Sequence, residues 1–420
     1  MSYNIGMEKI TTAIIGGGAS GLFLANALSP KYGKICVFER GERVGKKLSA
    51  TGNGQGNITN LGVLQEDYFS FDKLGAKRAR AIISAFDSDD MRQFFLNLGV
   101  LTTSDTRGRV YPTGKQASAL TDALRYGLEQ NGVELCINTK ITEIKKQGEL
   151  FLLTAQTPTG KECFQAETVV LCAGGNAAKN FGTDGNGYAL ASALGHTRTD
   201  IFPSLVQLKT QTREIKSLKG VKIYDALVRA RYIGKGEQKE KSFLGDLLFT
   251  DYGVSGDAIF RLSAYIAHCI DRGVTLSIDF LPQISKEEIC FAVEQKRRAF
   301  PRLPALELLG GIINNQVGRA IVKRAENDLS RAIELLKDFE IEVTGSMGFD
   351  YAQVTKGGIR LDEVDENLQS KRVQGLYFAG EILDVDGACG GFNLQWAYSS
   401  ARTVANAIMG SKNEKWRGQV

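Results

Sequence analysis

The chain has 420 residues, 43% hydrophobic and 24% charged, and its 52 basic and 47 acidic side chains leave a net charge of +5. That length suits two or three lobes, the charge is too mild to imply nucleic acid, and no apolar run approaches the ~20 residues of a membrane helix. The seven cysteines, Cys36, Cys136, Cys163, Cys172, Cys269, Cys290 and Cys389, are scattered and contain no C-x-x-C, so neither a disulfide framework nor zinc is expected and a reducing cytoplasm fits.

Residues 1–10 read as a leader without a signal-peptide pattern. Ala13-Ile14-Ile15 is a short apolar strand that runs into Gly16-Gly17-Gly18-Ala19-Ser20-Gly21, a G-x-G-x-x-G. Leu22, Ala25 and Leu28 follow at helical spacing, and a second apolar run, Ile35-Cys36-Val37-Phe38, ends at Glu39. Strand, glycine turn, helix, strand and acid within about thirty residues make the dinucleotide-binding βαβ unit. Gly16 allows the tight turn, Gly18 admits a pyrophosphate to bare backbone, and Gly21 lets the helix close on the strand. The helix start at Ala19 and Ser20 offers N–H groups and a positive dipole end to phosphate. Glu39 suits two ribose hydroxyls and argues against a 2′-phosphate, which leaves NAD and FAD.

Arg40 and Lys47 lead into a loop, Thr51-Gly52-Asn53-Gly54-Gln55-Gly56-Asn57, rich in residues that tolerate positive φ. It is expected to fold against the cofactor, with asparagine side chains satisfying its polar edges. Helices are predicted over 76–86, 89–98 and 116–130, and strands over 107–112, 133–137, 139–146, 151–156 and 168–172. The last strand ends in Ala173-Gly174-Gly175, and a second glycine cluster continues through Gly182 and Gly185 to a helix that stops at Gly195. Ligands sit at the carboxyl ends of such strands, so this cluster is expected to touch the same cofactor.

From 197 to 356 the pattern changes. Strands are predicted over 202–210, 221–232 and 241–249, closed by 279–281, and helices over 286–300, 305–309, 312–322 and 329–338. Gly253-Val254-Ser255-Gly256 reads as a hinge before a helix over 257–269. This block is an insertion between two halves of one nucleotide-binding domain, 1–196 and 357–420. The chain returns at 373–381 with a turn and a buried strand ending at Gly380-Glu381. Gly390-Gly391-Phe392-Asn393 then opens a final helix over 394–409.

The C-terminal stretch selects FAD over NAD. FAD is long and extended, so it needs an acid for its ribityl hydroxyls, which Glu381 supplies, and a helix start for its pyrimidine edge, which the Gly390-Gly391 turn supplies. A simple NAD dehydrogenase needs no second glycine site so far along the chain. On these residues the sequence resembles the BaiN/YhiN-type family of NAD(P)/FAD-dependent oxidoreductases, also called aminoacetone-oxidase-type FAD-binding enzymes. The most specific pieces are Thr51-Gly52-Asn53-Gly54 with Asn57, and Gly380-Glu381 through Gly390-Gly391-Phe392-Asn393-Leu394-Gln395. The resemblance implies an α/β fold: a glutathione-reductase-like FAD-binding Rossmann domain with an inserted β-barrel-like plus helical lobe. It also implies non-covalent FAD and hydride chemistry. The chain departs from the family pattern at Gln55-Gly56, where members have Arg-Cys, and at Cys389, where members often have Thr.

The expected cofactor set is Gly16, Gly18, Ala19, Ser20, Gly21, Glu39, Arg40, Lys47, Thr51, Gly52, Asn53, Gly54, Asn57, Ala173, Gly174, Gly185, Gly380, Glu381, Gly390, Gly391, Phe392 and Asn393. Catalytic candidates are Cys389, Arg109 and Tyr111. No metal is expected, since two histidines, His196 and His268, exclude a histidine-rich site. His196 reads as a cap after Gly195. No second complete G-x-G-x-x-G exists for a nicotinamide domain, so NADH or NADPH would visit the flavin transiently, or the substrate would reduce FAD and oxygen would accept the electrons. The expected partner is a small-molecule substrate, with no membrane and no nucleic acid. The alternatives are a flavin-binding sensor or RNA-associated protein with secondary redox turnover, and an NAD dehydrogenase without flavin.

Overall fold

The computed structural model describes residues 9–28, 30–65, 68–213, 215–234 and 236–417. The first strand begins at Lys9, so most of the leader expected over 1–10 lies outside the described residues. The chain divides into two units, 1–201 with 354–420, and 202–353, against expected boundaries of 196/197 and 356/357.

The first unit is built on a mixed sheet in the order Glu134–Cys136, Ile35–Phe38, Lys9–Ile15, Gly160–Leu171. The strand Gly160–Leu171 then forks. Its second half pairs parallel with Leu376–Phe378, and its first half pairs antiparallel with Leu150–Thr157, which continues to Lys140–Gln147. The expected strand over 168–172 is therefore only the end of a longer one. The part before it alternates charged and apolar residues too irregularly for a period of two to show. The three central parallel strands, Ile35–Phe38, Lys9–Ile15 and the end of Gly160–Leu171, carry the apolar β-branched runs expected of a sheet covered on both faces. The helix Ala19–Ala27 buries Leu22, Phe23, Leu24 and Ala25, and the final helix Phe392–Arg417 lies against it. Phe23 joins them by edge-on ring contacts to Phe95 and Tyr398, at 5.9 and 5.5 Å. Aromatic pairs in this geometry add about 0.5–1.5 kcal/mol each beyond burial.

The second unit holds a closed barrel in the order Leu208–Thr210, Gly253–Ser255, Glu237–Phe249, Lys222–Gly234, Val274–Asp279, Phe339–Ser346. The helices Lys286–Ala299, Asn315–Arg324 and Leu329–Lys337 belong to it. Several expectations are corrected here. Gly253–Ser255 is a barrel strand rather than a hinge: a Cβ on Gly253 would stand 2.3 Å from the Leu208 carbonyl oxygen, so the neighbouring strand needs glycine there. The strand expected over 279–281 lies at Val274–Asp279. The strand Phe339–Ser346 lies where no strand is expected, although Phe339, Ile341 and Val343 point inward with Glu340 and Glu342 between them. The stretch 202–210 breaks at Leu205, whose φ is +50°. The helix over 305–309 is a single 3-10 turn, Ala305–Glu307. Among the described residues no helix is long and apolar enough to cross a membrane.

Candidate functional site

Strand register sets the site. Ile15 stands beside both Phe38 and Leu171, and Leu171 beside Phe378. Four parallel strands therefore end in one row and release the chain along one edge, into Gly16, Glu39, Ala173 with Gly174, and Gly380 with Glu381. That edge is where open α/β sheets bind ligands.

The first turn is closed by two glycines and opened by a third. A Cβ on Gly21 would lie 2.0 Å from the Gly16 carbonyl oxygen, and one on Gly16 would lie 2.5 Å from the Cys172 carbonyl oxygen. Around Gly18 a Cβ would meet nothing within 4 Å. Gly18 caps the helix Ala19–Ala27 without a side-chain hydrogen bond and without an acid in the first turn, so the N–H end of the helix is left to an anion. The Glu39 carboxylate accepts from the Gly17 N–H at 2.9 Å and from the Gly41 N–H at 2.7 Å. A carboxylate has about four acceptor positions, so both oxygens keep capacity for hydroxyl donors.

Arg40 is ion-paired to Asp184, which also takes Lys140 at 3.0 Å. Burial pushes the Asp184 carboxyl up, but hydrogen bonds from Arg40, the Asn186 N–H and Lys140 bring it down to about 2. Asp184 thus ties Arg40 to the turn at Gly185, whose φ is +72°. The second cluster packs on Thr355, a residue outside the expected cofactor set. A Cβ on Gly175 would stand 2.4 Å from the Thr355 hydroxyl, which accepts from the Asn176 and Ala177 N–H groups at 2.8 and 2.9 Å. The Thr355 N–H in turn donates to Glu381 Oε1 at 2.9 Å, and Lys47 Nζ holds Glu381 Oε2 at 2.7 Å. The β-branched pair Val354-Thr355 ahead of Gly357-Gly358 was the available signal.

The loop after Lys47 is left-handed at Gly52, Asn53, Gly54 and Gly56. Its Gly56 N–H donates to the Thr51 carbonyl at 2.9 Å, and the Gly54 carbonyl caps the distant helix Ala117–Gln130 through the Ala117 N–H at 2.8 Å. Asn57 spends both amide hydrogens on the Thr59 and Val110 carbonyls, so it supports the loop from beneath, while Gly52, Asn53 and Gly54 are exposed. A Cβ on Gly56 would reach 2.7 Å from Leu120 Cδ1 at a φ of +78°, which explains why this chain carries glycine there.

The C-terminal turn meets this loop. Gly391, at φ +105°, leaves only 2.4 Å between a Cβ and the Thr59 carbonyl, and Asn60 Nδ2 donates to the Gly390 carbonyl at 3.2 Å. Phe392 is buried and begins the final helix. The Asn393 amide accepts from the Gly387 N–H at 2.8 Å and donates to the Gly387 carbonyl at 2.9 Å, so its side chain clamps the turn from behind. The two glycine surfaces are joined at Gly380: a Cβ there would stand 2.6 Å from Ser20 Oγ, and the Trp396 indole donates to the Gly380 carbonyl at 3.1 Å.

Arg109, Tyr111 and Cys389 come together. Arg109 and Tyr111 alternate on one face of the strand Arg109–Pro112 while Val110 faces inward. Arg109 pairs with Asp105 at 2.8 Å and its Cδ would touch a Cβ on Gly390 at 3.5 Å. Burial raises the Tyr111 hydroxyl above its usual range against the pull of Arg109, and Asp105 and Cys389 add to the rise.

Behind the turn lies a buried charge cluster. Lys356 Nζ contacts both Asp386 oxygens at 3.0 and 3.1 Å, with side-chain exposures of 5% and 0%, and lies 4.0 Å over the Phe69 ring. Asp384 accepts from Ser70, the Phe71 N–H and the Asp72 N–H, yet burial and then the Asp386 charge hold its carboxyl up at about 6. Among the described residues no cluster of three or more potential ligands could hold a metal ion.

His196 is structural. Its Nδ1 meets Glu363 at 2.9 Å and its Nε2 meets the Ser370 hydroxyl at 2.8 Å, all three side chains being buried. Burial holds the imidazole below its ordinary 6.5 although Glu363 pulls the other way. A histidine kept neutral in the fold takes up a proton on unfolding, so its stabilisation is present above pH 6.5 and is lost as pH falls below it. The melting temperature is expected to fall between about pH 7 and pH 5.5, with that slope absent in His196→Gln. An unchanged slope in the variant would remove His196 as its source.

A family model described as "HI0933-like protein Rossmann domain" matches residues 10–407. The chain belongs to this family. A 3-dehydro-bile acid delta(4,6)-reductase of Clostridium scindens is 34% identical over 94% of this chain and 98% of its own. A ribosomal RNA dihydrouridine synthase of Escherichia coli is 28% identical over 97% of this chain and 100% of its own. The fold is shared with a flavocytochrome c3 fumarate reductase, at a TM-score of 0.52 and 13% identity over 96% of this chain and 78% of that one. It is shared also with a 3-ketosteroid-delta4-(5alpha)-dehydrogenase of Rhodococcus jostii RHA1, at a TM-score of 0.50 and 13% identity over 97% and 98%. The protein is an FAD-dependent oxidoreductase with a Rossmann-type FAD-binding fold.

Proposed function

We propose that this enzyme reduces a carbon–carbon double bond conjugated to a carbonyl in a small organic substrate, with NADH or NADPH as the transient electron donor; oxygen would serve as acceptor only in the opposite direction, with the substrate reducing the flavin. The carrying observation is the row of four strand ends whose glycine surfaces are joined through Gly380 and Ser20. Such a row fits one long dinucleotide. Gly18, Ala19 and Ser20 would take the pyrophosphate, Glu39 the adenosine ribose, and Glu381 the ribityl chain. The Gly390-Gly391 turn and Phe392 would face the pyrimidine edge, with half-buried Thr51 and exposed Gly52, Asn53 and Gly54 along the Asn-Gly loop. Arg40, Lys47, Asn57 and Asn393 hold these groups in place. When bound, FAD supplies the hydride chemistry.

The relatives' names narrow the reaction. A delta(4,6)-reductase of a 3-dehydro-bile acid and a dihydrouridine synthase both concern a double bond conjugated to a carbonyl. Such a reduction adds a hydride at one carbon and a proton at the other. Tyr111 keeps a proton on its hydroxyl within electrostatic reach of Cys389, and Arg109, on the same strand face and against Gly390, would stabilise the phenolate it leaves. Uracil in ribosomal RNA is a second substrate reading, favoured by two relatives of that name that cover nearly the whole chain.

The purified protein should be yellow and release FAD. Anaerobic NADH or NADPH should bleach it, and a 3-oxo-4,6-diene bile acid or uridine-containing ribosomal RNA should restore the colour. Bleaching that no conjugated alkene reverses would sink the reaction proposed, and a flavin inert to every donor would favour the sensor alternative. Tyr111→Phe should slow the recolouring step by about 100-fold or more while leaving bleaching unchanged. Cys389→Ala should keep most of the rate, since the thiol fills the turn. The reverse ranking would move the proton to Cys389.

A further inference from the structure

Cys36 and Cys136, a hundred residues apart in the chain, meet on adjacent parallel strands. Cys36 stands beside Glu134 in the register, and Cys136 lies two residues further on the same face. Both thiols reach one carboxylate: Cys36 Sγ lies 3.4 Å from Glu134 Oε2 and Cys136 Sγ 3.8 Å from Glu134 Oε1. Lys34 holds that carboxylate at 2.7 Å. Cys36 is buried and Cys136 half-buried, so one thiol faces solvent and the other lies behind it.

We propose that these two cysteines are a site of reversible oxidation, at which a hydroperoxide converts the Cys36–Cys136 thiol pair to a disulfide. The Cys136 thiolate attacks a peroxide oxygen, the O–O bond breaks, and the hydroxide released takes the proton that Cys136 gave up on ionising and leaves as the first water, with Cys136 now a sulfenic acid. The Cys36 sulfur then attacks the Cys136 sulfur while Glu134 relays the Cys36 proton to the departing hydroxyl, which leaves as the second water. Two thiols lose two electrons, and one hydrogen peroxide becomes two waters. The hydrogen bond from Cys36 holds the Cys136 thiol below the ordinary thiol range, and that contact together with burial pushes Cys36 up, which assigns attack to Cys136.

The bond would be felt at the dinucleotide site. The Glu39 N–H donates to the Cys136 carbonyl at 2.9 Å, and the Thr139 N–H to the Glu39 carbonyl at 2.9 Å. Partners offset by two residues across a parallel pair are roughly 8 Å apart at Cα, beyond the ~7 Å limit of a disulfide. Closure therefore draws the strand Glu134–Cys136 along its neighbour and strains the bond to Glu39. This second consequence rests on Glu39 holding the adenosine ribose.

The test uses FAD-loaded protein with the exposed Cys163 and Cys290 changed to serine, treated with hydrogen peroxide. Thiol counting after denaturation should show a loss of two of the remaining five. Peptide masses should show Cys36 joined to Cys136, and dithiothreitol should reverse both. Cys36→Ser should instead leave a sulfenic acid on Cys136 that dimedone traps. Retained thiols, or a sulfinic acid on Cys136 with no cross-link, would overturn the proposal. FAD release should quicken on the order of tenfold in the cross-linked protein. A cross-link that leaves FAD release unchanged would overturn the link to Glu39 and leave the thiol pair standing.

Discussion

Gly391→Ala is expected to cost about 2–5 kcal/mol and to yield protein that retains little flavin. Two effects add. At φ +105° an alanine pays about 1–2 kcal/mol for its Cβ against the following carbonyl. That Cβ then stands 2.4 Å from the Thr59 carbonyl, and neither backbone can yield without moving the other. Forced overpacking of this kind adds about 1–3 kcal/mol. Gly182→Ala is the control. Its φ is +100° but a Cβ there meets nothing within 4 Å, so only the backbone contribution remains. Urea midpoints of the two variants should differ in that order, with bound flavin lost in the first and kept in the second. Equal midpoints would mean that the Gly391 turn does not press on Thr59.

Lys356→Met should destabilise the protein by about 3–5 kcal/mol, because it leaves the Asp386 carboxylate buried without its partner. Asp384 sharpens the effect, since a second carboxyl with its own proton held to about 6 lies nearby. Pairing Lys356→Met with Asp386→Leu should recover most of the loss, as apolar replacement of a whole buried pair is often close to neutral. The sign with pH follows from the unpaired acid. Its folded pKa rises above the unfolded value, so the single variant is relatively most stable at low pH and weakens as pH rises. Urea unfolding at several pH values measures this. A double variant no better than the single one would show that Asp386 does not carry the penalty.

The sequence was most legible where one residue type has one physical use. At Gly16 and Gly21 local spacing alone foretold close backbone contacts, because strand, turn and helix leave room for no Cβ. The Asn-Gly loop was readable as left-handed backbone for the same reason. Less was legible where roles depend on partners. Asn57 bonds backbone carbonyls, the kind of role the sequence suggests for the asparagines of its loop, but that those carbonyls are Thr59 and Val110, and that the Asn393 amide is committed to the Gly387 backbone, only the fold could reveal. Thr355 lies outside the expected set because the β-branched pair Val354-Thr355 marks a strand without telling which two N–H groups its hydroxyl will cap.

The α/β class and the two glycine-rich stretches are written in the sequence through local conformational limits and short-range periodicity, and the family through the resemblance carried by the Thr51–Asn57 and Gly380–Gln395 motifs. Tertiary structure alone decided that four strand ends fall in one row, that Lys47 pairs with Glu381, and that Cys36 meets Cys136. Parallel strands are joined through long crossovers, so their order and register are set by how whole faces bury against one another, and no local pattern records which distant residues that burial will bring together.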